Sequence, residues 1–418
     1  MNEQNSQEIA YRRQAFKLFE KEKSAAQILA IIPRSRSWLF KWKQRFNQEG
    51  WQALDSLSKA PQHSPQRCSP EAVKLVLHLR KRMEKSQVGL KCARAIHQEI
   101  LRHRLLRPVP SLASIKRWIK DAGLTRPDLA TEAEAYYPVI REPNQFFILA
   151  CDWLARYPQG APKVFVFHSL DLQTHALAQT ILLDKTAESA EKHLLQAFAE
   201  VGLPDFLQID NDPAFTGFGR TKPVFGRIIR LVLYLGIEPI FIPPGEPRRN
   251  HDIERVNGLW SKNFWNRNHF HSHRDLLRRR GKFLTWYQTY APPALGGLTV
   301  AETTRRRPRE KLRSRQMKNI PEVLPLTAGR IHFLRRVDGL GEINILKERW
   351  KVSKSLIGQY VWATLDLSRK ELSIYHRRSL RAQPRLVKQY EYEIAESIAP
   401  LSPQYRRRRR KVEILKII

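Results

Sequence analysis

The sequence predicts a multidomain chain: tandem all-α helix-turn-helix modules, then an α/β domain on a mixed five-stranded sheet, then a small β-barrel. Three observations predict it. Apolar residues recur at helical spacing to about residue 122. Strand-length runs of β-branched and aromatic residues then alternate with amphipathic helices to about residue 290. Short strand-like runs punctuated by glycine return between residues 331 and 375. The boundaries read as 1–62 and 63–125 for the two modules, 126–143 for a linker, 144–290 for the α/β domain, 291–328 for a basic linker, 329–392 for the barrel and 393–418 for a basic tail.

Ile9 to Phe19 reads as the first helix. Ser24 is placed to cap a second, Ala25 to Ile32, which Pro33-Arg34 breaks. Ser35 opens a third, with Trp38, Leu39, Trp42 and Phe46 on its buried face and Arg36, Lys41, Lys43 and Arg45 opposite. The design then repeats. Ser69-Pro70 opens a helix to Glu84, Leu90 to Leu105 forms another, and Ser111 caps Leu112 to Ala122. In that last helix Ile115, Trp118 and Ile119 point inward, and Lys116, Arg117 and Lys120 outward. Two short helices and a basic third can lay one helix in a DNA major groove. A three-helix bundle with a solvated basic face is the plainer reading.

After the proline-marked linker, Phe146 to Asp152, Val164 to Leu170 and His175 to Leu182 read as strands, the last two joined by a hairpin at Asp171 to Thr174. Lys185 to Val201 is an amphipathic helix, Asp205 to Asp210 a strand, Pro223 to Leu235 a helix, Glu238 to Pro243 a strand and Pro247 to Arg267 a long helix. Such an order makes a sheet with helices on both faces. Helix continues to about Tyr290, followed by an irregular stretch in which Thr303 to Lys318 carries eight Lys or Arg against one Glu. Five short strands then follow: Ile331 to Leu334, Glu342 to Ile345, Arg349 to Val352, Gln359 to Leu365 and Glu371 to Tyr375.

Composition narrows the partners. The 418 residues include 74 Lys and Arg against 40 Asp and Glu, a net charge of +34, while 42% are hydrophobic. Enough apolar material for packed cores excludes a disordered polybasic chain. The charge points to a polyanion, nucleic acid before an anionic membrane surface. Cys68, Cys92 and Cys151 are too few and too scattered for a disulfide framework. The most apolar stretch, Ile229 to Ile242, is broken by Gly236, Glu238 and Pro239, so no membrane span is expected, and Met1 to Glu8 lacks a signal-peptide core. A cytoplasmic protein is the resulting expectation. The candidate phosphate-contacting cations are Arg34, Arg36, Lys41, Lys43 and Arg45; Lys116, Arg117 and Lys120; and Arg305, Arg306 and Arg307.

Three acids stand where the sheet would gather them. Asp152 ends the first strand, Asp210 the fourth, and Glu254 lies on the long helix. There Ile253, Val256, Trp260 and Phe264 form an apolar stripe beside the polar stripe of Asn250, Glu254, Asn257 and Ser261. Asp252 sits about 200° round the helix and cannot share that site. One strand-end Asp by itself is most often a turn or cap residue. Clustered carboxylates without basic partners repel each other, and divalent cations relieve this. Hard oxygen donors suit Mg²⁺, with Mn²⁺ as a substitute. Two such ions, about 4 Å apart, serve both halves of an in-line phosphoryl displacement.

In the order and local strings of these acids the chain resembles the DDE transposases of the retroviral-integrase superfamily, of bacterial insertion-sequence type. The resemblance rests on Asp152 in strand one, Asp210 in Asp210-Asn211-Asp212, and Glu254 in Ile253-Glu254-Arg255-Val256-Asn257. It extends to Glu49-Gly50-Trp51, Leu54-Asp55 and Ser58-Lys59-Ala60-Pro61 on one flank. On the other it takes in Trp286-Tyr287 with Tyr290-Ala291-Pro292, and C-terminal strands similar to the small barrel of integrases and Mu-type transposases. Three departures stand out. Asp210 and Glu254 are separated by 43 residues, a wide gap whose surplus falls in Gly217 to Arg227. Asp212 stands where the family has Gly, and a turn role is expected for it. No counterpart exists for the integrase His-His-Cys-Cys zinc site, because Cys68 and Cys92 lack the paired spacing.

The resemblance implies an RNase H-like core in which Asp152, Asp210 and Glu254 are catalytic and hold two Mg²⁺ ions. It implies an enzyme that binds element terminal inverted repeats, cleaves 3′ ends and transfers the strand into target DNA. A homo-oligomer on DNA in the bacterial cytoplasm or nucleoid goes with it, and an ATPase partner for target selection is left open. Two other readings stay open at this point: an RNase H-type nuclease without joining activity, and a domesticated, catalytically silent DNA-binding regulator.

Overall fold

The computed structural model describes residues 3–55, 68–86, 88–125, 136–139, 145–216, 225–379 and 381–406. Outside them lie the Ser58-Pro61 string, most of the first linker, residues 217–224 of the glycine-bearing loop and the tail beyond Arg406. The chain divides into two compact units, Met1–Pro70 and Glu71–Ile418.

The first unit is α1 (Glu3–Glu20), α2 (Ala25–Ile31) and α3 (Arg36–Glu49). Ser24 Oγ accepts from Gln27 N while Gln27 Oε1 accepts from Ser24 N, a reciprocal cap that starts α2. Ser35 caps α3 through Trp38 N. Phe16, Ile28, Ile32, Leu39, Trp42 and Leu54 close the core, and Phe16 stacks on Phe46 at 4.4 Å. The second unit begins with another three-helix cluster: α4 (Pro70–Lys85), α5 (Ala93–His103) and α6 (Leu112–Asp121). Ser111 caps α6, and Val76, Leu79, Ile96, Ile100, Ile115 and Ile119 fill the interior.

Next come β1 (Ile148–Arg156), β2 (Val164–Asp171), β3 (Leu177–Leu182), α7 (Ala187–Glu200), β4 (Phe206–Ile209), α8 (Pro213–Thr216), α9 (Arg227–Tyr234), β5 (Glu238–Phe241), α10 (His251–Asn263) and α11 (His273–Thr289). β1, β2 and β3 are antiparallel neighbours, and β4 and β5 extend the sheet from β1 in parallel. Strand parity separates two layers. Leu149, Cys151, Phe165 and Phe167 pack with α7 and α9, whereas Ala150, Val164 and Val166 pack with α10 and α11.

Four expectations need correction. The sheet has nine strands rather than five, in the order β11-β10-β9-β6-β5-β4-β1-β2-β3. The added strands are β6 (Arg330–Arg336), β9 (Tyr360–Asp366), β10 (Glu371–His376) and β11 (Arg385–Glu391), the last of them not foreseen. For the same reason the separate barrel is not what forms: these strands continue the central sheet, and β7 (Glu342–Ile345) with β8 (Glu348–Lys351) makes a two-stranded hairpin. The physical cause is the outer edge of β5, whose backbone groups would otherwise lack partners. β6 pairs with it in parallel at Ile240↔His332 and Phe241↔Phe333, and the two phenyl rings stack at 5.3 Å.

The third correction concerns the long helix, which is a 3₁₀ turn at Pro247–Asn250, then α10, then a second turn at Trp265–Arg267. Phe264, buried among Trp260, Phe270 and Phe283, turns the chain there. Fourth, the basic stretch holds α12 (Val300–Arg306), started by a Thr299–Glu302 capping box, and α13 (Ser314–Lys318). Between them Arg309 reaches back to buried Asp171 and to Gln173 in the β2–β3 turn. Among the described residues no helix is long and apolar enough to cross a membrane.

One sheet means one unfolding event. Phe333→Ala is expected to cost about 3 to 5 kcal/mol and to speed amide exchange in β1 and β4 as well as in β6. Unchanged β1 exchange in a destabilised variant would mean that the C-terminal strands unfold on their own.

Candidate active site

Asp152 lies in the middle of β1, not at its end, because the β1–β2 hairpin runs on to Arg156. By parity it shares a face with Ala150, the face that packs against α10. β1 and β4 pair in register at Ala150↔Gln208, so two further steps bring Asp210, just past the end of β4, alongside Asp152. Glu254 stands in the first turn of α10, whose Ile253, Val256 and Trp260 are buried against the sheet. The three acids, with Asp212, Glu246 and Asn250, line one cleft of about 420 Å³.

Burial dominates the electrostatics. It pushes the Asp152 carboxyl up to about 7, and Asp210 and Glu254 push the same way. Two hydrogen bonds oppose this, from Trp153 N and from Asn257 Nδ2, both at 2.8 Å. Burial also raises Asp210, helped by Asp212 and opposed by the Asp212 amide and by Lys185. Glu254 is raised by burial as well. Among the described residues none of the three makes an ion pair. Nor do any three His, Cys, Asp or Glu side chains there stand as a formed metal cage, so the acids share a cleft rather than a point.

Asp212 has the turn role expected of it. Its Oδ1 accepts from Ala214 N, and its Oδ2 pairs with Lys185 Nζ at 2.9 Å. That ammonium lies 4.2 Å from the Trp153 ring centroid. Cys151 is fully buried and its thiol is pushed up by burial, which suits a packing role.

Sequence reasoning placed Asn257 on the polar stripe without giving it a task. In the structure its Nδ2 donates to Asp152 Oδ2, which leaves Oδ1 to accept from His168 Nδ1 at 2.7 Å. His168 Nε2 then accepts from Gln179 Nε2, also at 2.7 Å. Burial lowers the imidazole to about 4, so it stays neutral and keeps this tautomer. A histidine following the apolar run Val164 to Phe167 was the signal, and His168 is the cross-strand partner of Asp152.

The candidate DNA contacts divide into free and committed cations. Lys41 is exposed on α3, as is Arg36, whose guanidinium lies 5.7 Å from the Phe40 ring centroid. Arg34 pairs with Glu8 and lies over Tyr11, Lys43 lies over Phe19, and Arg45 over Trp42. Lys116, Arg117 and Lys120 are all exposed on α6, opposite buried Ile115 and Ile119. Arg305, Arg306 and Arg307 are exposed at the end of α12.

No protein-family profile matches the chain. Among solved structures, the HTLV-2 integrase catalytic core domain in complex with magnesium is similar at 18% identity over 38% of this chain and 95% of that one, with a TM-score of 0.28. The catalytic core domain of BIV integrase gives 18% identity over 37% and 91%, with a TM-score of 0.26. A simian T-cell lymphotropic virus intasome in complex with the PP2A regulatory subunit B56 gamma gives 14% over 74% and 95%, with a TM-score of 0.31.

The raised Asp152 carboxyl has a stability consequence with a definite sign. Its folded-state value lies above the ordinary carboxylate value, so the metal-free protein carries no penalty below about pH 4, a growing one to about pH 7 and the full one above. In chelator at pH 8, Asp152→Asn is therefore expected to be more stable than wild type by on the order of 2 to 4 kcal/mol, with little difference at pH 4. Urea unfolding at the two pH values checks this. Equal stability at pH 8 would remove the unpaired charge from the account.

Proposed function

We propose that this chain is a DNA-end-joining enzyme of the transposase and integrase kind. It would bind element ends through α3 and α6, cleave at the 3′ end and transfer the strand into target DNA. One observation carries the reading: carboxylates from β1, from the end of β4 and from α10 line a single cleft and, among the described residues, have no ion-pair partner.

The donor set fits a hard divalent cation. Its ligands would be carboxylate oxygens, and proton affinity raised by burial in all three, with neighbouring carboxylates adding to it at Asp152 and Asp210, is what missing countercharge produces. Asp152, Asp210 and Glu254 would hold two Mg²⁺ ions, or Mn²⁺ in their place, as metal ligands and catalytic residues. Such ions supply charge neutralisation at attacking and leaving phosphodiester oxygens. The protein's own part is placement. Asn257 holds one oxygen of Asp152, His168 and Gln179 hold Asn257, and Asn250 is tied to Gln208 of β4 and to the Cys151 carbonyl. No side chain need act as a nucleophile, so preorganisation of this cleft is the catalytic contribution.

The two three-helix clusters would each read part of an end, with Arg36 and Lys41 from one and Lys116, Arg117 and Lys120 from the other reaching the duplex. Arg305 to Arg307 would contact phosphate beside the core. Pairing two ends calls for a homo-oligomer on DNA, in a compartment that holds the element, and an ATPase could choose the target.

Labelled duplexes with randomised ends, enriched by retention on the protein, would be incubated with a plasmid target and Mg²⁺. Joined product that Asp152→Asn abolishes is the expected outcome. Cleavage without joining would favour a nuclease, and retention with neither product a DNA-binding regulator. Separately, Lys116→Gln with Lys120→Gln should weaken binding across sequences and lower the slope of log affinity against log salt by roughly 2. An unchanged slope would take α6 off the DNA.

A further inference from the structure

β6 brings one cation to the back of the acidic cleft. Arg335 is only 6% exposed, and among the described residues no carboxylate pairs with it. Its guanidinium is held instead by four neutral oxygens, one from its own strand and three from other segments. Nε donates to the Asn344 carbonyl of β7 at 2.9 Å. Nη1 donates to the Ile242 carbonyl just past β5 at 3.1 Å and to the Leu334 carbonyl at 2.8 Å. Nη2 donates to Asn211 Oδ1 at 2.9 Å. Burial lowers this guanidinium to about 10, which still leaves it charged at neutral pH.

Asn211 is the informative partner. It stands between Asp210 and Asp212, and both it and Ile242 line the cleft. Its Oδ1 accepts from Arg335 while its Nδ2 donates to the Ile242 carbonyl at 2.6 Å, so both ends of the amide are committed and its orientation is set. Ile242 N in turn donates to the Ile209 carbonyl, and Asp212 N to Asp210 Oδ1. The turn bearing Asp210 is thereby tied to the end of β5 and, through one side chain, to β6.

We propose that Arg335 is a positioning residue of the acidic cleft: its clamp on Asn211 and the Ile242 carbonyl sets where the Asp210–Asp212 turn stands, and the C-terminal strands thus complete the site. The consequence for catalysis rests on the reading of the cleft as a DNA-joining centre. The clamp itself does not. A guanidinium is suited to it, because its planar fork serves several acceptors at once, whereas a lysine ammonium would reach fewer.

The test uses the full chain with Arg335→Met, Asn211→Ala and the double variant. Two quantities are read: amide exchange of the peptide spanning 206–216, and kcat with half-saturating DNA in the joining reaction. Arg335→Met should speed exchange at 210–212 by about tenfold or more while α7 exchange stays as in wild type. It should lower kcat about ten- to hundredfold at unchanged DNA half-saturation. Because both side chains act through one contact, the double variant should be no worse than the more impaired single one. A folded Arg335→Met protein with wild-type exchange and kcat overturns the proposal, as does full additivity in the double variant. Should Arg335→Met fail to fold, Asn211→Ala carries the same test alone, and wild-type behaviour there is equally fatal. A wild-type chain that neither cleaves nor joins DNA defeats the reading of the cleft, and the exchange measurement still decides the clamp.

Discussion

Burial of three neighbouring carboxyl groups without countercharge is the constraint to which the rest of the fold answers. Acids in water need no neighbours; acids gathered beside a sheet and a helix must be held there against the loss of their hydration. The scaffold answers with rigidity. Trp260, fully buried at the centre of the α10 packing, fixes the helix that carries Glu254. The β1–β4 register fixes the spacing of Asp152 and Asp210. Behind Asp152 a chain of hydrogen bonds runs through Asn257 and His168 to Gln179 Nε2, and a connected buried network of this kind adds order. Stability is given up locally at Asp152, whose ionisation is opposed by its burial.

The same economy governs the cations. A net charge of +34 would suit DNA wherever it was displayed, yet many guanidinium groups are spent inside. Arg309 pins the β2–β3 turn at Asp171, Arg34 ties α1 to the turn before α3, and Arg227 grips Glu191 of α7. Among those that remain on the surface are Lys116, Arg117 and Lys120 of α6 and Arg305 to Arg307 at the end of α12. A count of Lys and Arg therefore overstates the electrostatic footprint, and the exposed subset is the relevant quantity.

Local chemistry was legible in the sequence and long-range pairing was not. Ser24, Ser35 and Ser111 announced helix starts because a cap needs only a hydroxyl three residues before an amide it can reach. The apolar stripe of Ile253, Val256, Trp260 and Phe264 was visible in its period, and all four are buried. The turn at Phe264 was not visible, because it is decided by aromatic partners from α11 and the preceding loop. Glycine-punctuated strands beyond residue 330 looked self-contained, since no local pattern distinguishes a strand that closes on its own hairpins from one that pairs with a distant edge. Glu238 shows what was missing: an acid inside an apolar strand, buried beside Arg330 and His332 of the strand that covers it. The neutral His168 and the clamp at Arg335 belong to the same class, polar side chains whose partners lie in other elements.

The parallel seam between β5 and β6 bears on how such a chain is born. During synthesis the outer edge of β5 waits without a neighbour until some ninety residues more have left the ribosome, and the nascent protein must keep that edge from meeting other chains. It also limits how lineages can tinker. A carboxyl-terminal piece that shares a sheet with the core cannot be exchanged as a cassette, because each donor would have to bring a strand cut to fit its host.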